Sequence, residues 1–166
     1  MRLPLLCAIG GICVAWATFP DAAQAAGKIY YGSRAGMTVT VLSMEGLDTT
    51  RAVIRTQHTR DDAIAFCRDY VGKVTEECIQ EELAVRLNDG ITANCTTGIF
   101  TDFYGYNYQF KGKNPRSDSM AAYVLVDLAT GEVADGSSAS GYPTNMGIFS
   151  ALCPRAAPLE QDWFSD

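Results

Sequence analysis

His58 is the one imidazole in the chain, so any Ser-His-Asp or Cys-His mechanism would have to run through it, with Asp61 or Asp62 as the orienting acid. Its neighbours Gln57, Thr59 and Arg60 point instead to a solvated strand-to-helix connection. Ser137, Ser138 and Ser140 fall within Gly-Ser-Ser-Ala-Ser-Gly, which lacks the spacing of a nucleophile elbow. Carboxylates are paired at Asp61 and Asp62, Glu76 and Glu77, and Glu81 and Glu82. Glycoside hydrolysis needs two carboxyl groups facing each other across a cleft, whereas sequence neighbours splay apart on a helix. These pairs therefore read as caps and a solvated face. The sequence holds no metal signature, phosphate-cradling glycine loop or dinucleotide fingerprint, and it implies no catalytic residue, metal or cofactor.

Aromatic residues are the other candidates. Phe100, Phe103, Tyr104, Tyr106, Tyr108 and Phe110 crowd into one short stretch. On a strand Tyr106, Tyr108 and Phe110 share one face, and Asn107 and Gln109 share the other. Such a face is either a stacking platform for a sugar or a flat partner surface, or a sheet-on-helix core with tyrosine hydroxyls at its rim. Tyr104, beside the turn residue Gly105, is the member expected to be exposed. Near the C-terminus, Trp163 and Phe164 lie between Asp162 and Asp166. They suit a tail that docks in a basic, hydrophobic groove, or an end that folds back on the domain. Tyr104, Tyr106, Trp163 and Phe164 are thus the candidate partner contacts.

The elements that must position these residues begin after a segment of another kind. Arg2 gives a positive start, residues 3–17 are uncharged and mostly apolar, and Ala23-Gln-Ala25 supplies an A-x-A site. Residues 1–25 are therefore expected to be a cleavable secretory signal. The apolar stretch is shorter than the roughly 20 residues of a spanning helix, so no membrane span is expected after cleavage. The remainder has the length of one domain able to bury its own core.

Arg2 and Asp21 leave together, so the mature chain keeps the net charge of −6. That charge disfavours nucleic acid and anionic lipid and favours basic partners. Two of the six cysteines lie in the signal, leaving Cys67, Cys78, Cys95 and Cys153. In an oxidising compartment this even set predicts two disulfides, for which three pairings exist. Cys67 with Cys78 would join two helical segments, and Cys95 with Cys153 would tie the C-terminal part to a central strand. On the chain-entropy relation the first is worth about 3 kcal/mol and the second about 4.

Alternation at period 2 predicts strands over residues 37–43 and 49–56, and further strands are expected over 91–95, 99–103, 106–110 and 121–128, with 132–135 pairing back. Thr59 and Asp62 stand in capping-box order, and Ala63, Phe66, Cys67, Tyr70 and Val71 form one helical stripe that Gly72 ends. Thr75 caps a second helix from Glu76 to about Arg86. Residues 144–152 fit a short third helix. The expected architecture is an α+β domain over residues 26–154. It has a mostly antiparallel sheet, two short helices packed on one face and two disulfides, followed by an acidic-aromatic tail, 155–166.

Across residues 29–154, Ala65-Phe-Cys67 with Tyr70, Thr75 and Cys78, then Asn94-Cys95 with Thr97-Gly98, then Gly105, Tyr108, Phe110 and Leu152-Cys-Pro154 form one pattern. In it the chain resembles small exported proteins of rhizobium-like alphaproteobacteria. The resemblance implies a Gram-negative periplasm and carries no activity.

The function expected from all of this is a non-enzymatic periplasmic or secreted binding module for a protein or envelope partner, in one form an inhibitor of a basic hydrolase. The alternatives are a small-ligand carrier or enzyme using the aromatic hairpin and His58, and a structural envelope or stress factor. A pocket lined by Tyr106 and Tyr108 and converging on His58 would favour the carrier or enzyme; an exposed patch around Tyr104 would favour protein binding.

Overall fold

A computed structural model describes residues 27–116 and 119–158. The expected signal, 1–25, and the tail residues Trp163 and Phe164 lie outside the described residues.

The described residues form one seven-stranded sheet: β1 Lys28–Tyr30, β2 Thr38–Glu45, β3 Ala52–Gln57, β4 Gly90–Asn94, β5 Ile99–Thr101, β6 Asn107–Lys113 and β7 Tyr123–Asp127. Every strand pairs antiparallel with the next in chain order, so the sheet is a meander that needs no crossover. Its alternation is clear in β3, where Ala52, Ile54 and Thr56 are buried and Val53, Arg55 and Gln57 are not. The β2–β3 register shifts between Val41 and Ser43, and Leu42 at that bulge is exposed. At the β4–β5 turn only glycine fits. Gly98 has φ +73°, and a Cβ there would lie 2.3 Å from the Phe110 carbonyl oxygen.

Two excursions carry the helices. Between β3 and β4 run α1, Arg60–Phe66, and α2, Glu76–Leu83; after β7 comes α3, Tyr142–Leu152. The capping box closes as its sequence order predicts: Thr59 Oγ1 accepts the Asp62 N–H, and the Asp62 carboxylate accepts the Thr59 N–H at 2.9 Å. A π-helical turn, Cys67–Val71, extends α1 until Gly72 turns left-handed. The helices α1 and α2 pack on each other around Ala63, Cys67 and Ile79, and α1 also touches β2.

The helix laid across the sheet is α3, which meets β1, β3 and β4. Phe149 stacks on Phe110 at 4.4 Å between ring centres and lies 5.3 Å from Phe100. The helices α1 and α2 thus form a pair with its own small core, and a third helix lies over the main one. Disulfides join Cys67 to Cys78 and Cys95 to Cys153, the latter tying the end of β4 to the end of α3. No helix among the described residues is long and apolar enough to cross a membrane.

Candidate functional site

The loop after β1, the β5–β6 connection and the start of α3 enclose an open cleft of about 350 Å³. Asp102 shapes one wall. Its Oδ1 accepts the backbone N–H groups of Tyr104 at 2.9 Å and Tyr106 at 2.8 Å, a side-chain turn that holds both tyrosines outward. The β5–β6 connection is therefore a five-residue loop, 102–106, rather than a tight turn at Tyr104 and Gly105. Tyr104 is 45 % exposed and Tyr106 58 %. Deeper in the cleft Tyr108 stacks on Phe100 at 5.6 Å and shares a hydrogen bond with the buried Asn145 amide. Arg34, on the opposite loop, lies 4.8 Å over the Tyr70 ring.

The aromatic stretch thus divides. Phe100 and Phe103 are core, Tyr108 and Phe110 are half-buried, and Tyr104 and Tyr106 stand at the cleft mouth. Burial raises the Asp102 pKa, against the backbone N–H groups of Tyr106, Tyr104 and Gly105. The Tyr104 hydroxyl is also raised, by burial and then by the charges of Asp102 and Glu82.

Behind the cleft wall lies a second arrangement. Tyr31, fully buried at the end of β1, packs edge-on against Tyr104 at 6.4 Å and against the His58 ring at 5.4 Å. The Tyr31 hydroxyl donates to Glu82 Oε1, and His58 Nε2 lies 3.7 Å from the same oxygen. Glu82 is 6 % exposed and the His58 side chain 11 %. Two expectations are corrected here: His58 is not solvated, and Glu82 does not belong to a solvated face. Packing against Tyr31 draws both inward, and the polar neighbours of each in sequence conceal it. Burial lowers the His58 pKa, partly offset by the charge of Asp62, and burial raises the Glu82 pKa.

Asp62, read from sequence as a cap, is also wholly buried. It accepts from Thr40 at 3.0 Å and Thr59 at 2.7 Å and pairs with Lys28 Nζ at 2.8 Å. Burial opposes its charge, and the bonds from Lys28, Thr59 and Thr40 outweigh burial, so its pKa falls below the ordinary value.

A second open groove, about 410 Å³, runs between the π turn and α2, with Phe66 and Val71 on its walls and Glu77, Glu81 and Glu82 along one side. Among the described residues no group of three or more His, Cys, Asp or Glu side chains is placed to hold a metal ion. His58 does not line the tyrosine cleft; Tyr31 stands between them. Sequence reasoning missed Tyr31, Arg34 and Asn145, which sit on or beside elements too short or too evenly buried to show a period. Comparison with protein-family profiles, with curated proteins and with solved structures gave no match.

Proposed function

We propose that this chain is a non-enzymatic binding module that works outside the cytoplasm and captures a protein partner at the tyrosine cleft. The observation that carries this reading is the pair Tyr104 and Tyr106, two large rings held outward at the mouth of a cleft by the buried Asp102 turn. Tyrosine combines a rigid apolar face with a polar tip, and such residues supply much of the binding energy where protein surfaces meet. The partner is basic: the chain carries a net charge of −6, and the neighbouring groove adds Glu77 and Glu81 to the same end of the molecule as Glu82. An inhibitor of a basic hydrolase is the concrete form, with a projecting loop of the enzyme seated in the cleft.

Export rests on the signal reading of residues 1–25 and on the likeness to small exported proteins. Two disulfides and the lack of a spanning helix among the described residues are compatible with a periplasmic or extracellular protein. The small-ligand carrier or enzyme draws support from the Tyr106 and Tyr108 lining but none from His58, which does not line the cleft.

The test is capture of partners from an envelope fraction by the tagged protein, with Tyr104→Ala beside the wild type. The reading predicts one near-stoichiometric basic partner whose retention falls at least tenfold in the variant. Retention unchanged by Tyr104→Ala would contradict it.

A further inference from the structure

The least satisfied polar group in the described interior is His58. Neither ring nitrogen has a hydrogen-bond partner among the described residues, although both are buried. Buried polar atoms left in this state are uncommon and call for a physical reason. Here the reason lies 3.7 Å away, where Glu82 Oε1 faces Nε2 while accepting a bond from Tyr31.

We propose that Glu82 is the positioning residue of the cleft's inner wall and His58 its proton-operated release, so that capture at Tyr104 and Tyr106 weakens when His58 becomes charged. This rests on the binding reading above and adds its regulation.

With His58 neutral, Glu82 has one firm partner, the Tyr31 hydroxyl, and Tyr31 is held where its ring supports Tyr104 edge-on. A proton on His58 places an N–H and a positive charge opposite Oε1, and in a buried setting that ion pair competes for the oxygen with the bond from the uncharged Tyr31 hydroxyl. The carboxylate moves towards His58, Tyr31 loses its anchor, and Tyr104 loses the ring behind it.

Titratable and charged groups face His58 from every element packed around it. From α1 comes Asp62, already paired with Lys28 of β1; from α2, Glu82; from the end of β1, Tyr31. Behind Tyr31, the β5–β6 loop brings Tyr104, itself within the fields of Asp102 and Glu82. Burial holds His58 neutral until the pH falls below its ordinary 6.5.

The experiment follows the ring signals of His58 and Tyr104 by nuclear magnetic resonance on the free, disulfide-intact protein from pH 8 to pH 5. Expected are one common midpoint below 6.5 for both residues, and, in Tyr31→Phe, a His58 titration that persists while the Tyr104 response drops at least threefold. His58→Gln, which cannot charge, should leave Tyr104 unresponsive. Tyr104 signals that stay flat through the His58 titration, or that move equally in Tyr31→Phe, would overturn the proposal. Since no partner is present, the two readings fail separately. A coupled titration without capture at Tyr104 defeats the binding reading, and capture with a flat titration defeats the release.

Discussion

Asp62 and Glu82 are both buried carboxylates packed near His58, yet they are served very differently. Asp62, at the start of α1, has an ammonium, two hydroxyls and a backbone N–H directed at it, and its pKa falls despite burial. Glu82, at the inner side of α2, has one hydroxyl, and burial raises its pKa. A fully satisfied buried carboxylate fixes a structure, because changing its protonation state costs several bonds at once. One with a single bond sits closer to balance, and that is where pH can move a side chain. Asp102 is intermediate, held by backbone N–H groups alone and raised by burial.

The largest effect that would break this contrast is at Asp62. Asp62→Ala removes the capping box and leaves Lys28, Thr40 and Thr59 without their acceptor, and should cost about 3 kcal/mol in denaturant unfolding with disulfides intact. A loss no greater than that of an ordinary surface substitution would show that the satisfied network is not structural.

Next in size is Glu82→Gln, which keeps an oxygen for Tyr31 and removes the charge. A raised folded pKa gives stability that is present below the unfolded value of 4.5 and lost as pH rises through the folded one. The variant should therefore match the wild type near pH 4 and exceed it by about 1 kcal/mol near pH 7. Asp62 works the other way. Its stability is present above 3.8 and lost as pH falls through its lower folded value. His58, depressed by burial, sheds stability as pH falls below 6.5. Unfolding curves at several pH values read all three signs together.

The smallest effect is expected outside. Glu76 accepts two bonds from Arg60, which with Gln80 hold its pKa at about 2. The pair is exposed to solvent, where entropy and screening cancel most of the attraction. Glu76→Gln should leave the unfolding midpoint unchanged within error.

Much of the fold was legible because its physics is local. Strands β2 and β3 are long enough to show a period of two, Thr59 and Asp62 have capping-box spacing, and Gly72 stops a helix. The β1 strand is three residues long, too short for a period, and it brings Tyr31 to the site. The α3 helix was expected as a short segment, but not as the element over the main core. Eight of its eleven residues are buried, including Thr144, Asn145 and Ser150, so no polar face marks its orientation.

At the site, Tyr104 was expected to be exposed from its place beside Gly105. Asp102 could have been found the same way, since an acid three residues before a glycine is a turn signal. The burial of His58 and Glu82 could not, because it depends on Tyr31 reaching both from a distant strand.

The most direct measurement is site-specific photo-crosslinking in the native envelope, with a benzophenone side chain placed at Tyr106 and, as a comparison, at Leu42, exposed on the β2 bulge. A single partner crosslinked at Tyr106 at least tenfold more than at Leu42 is the predicted result. Equal crosslinking at both positions, or none at Tyr106 when the probe is shown to be active, would contradict capture at the tyrosine cleft.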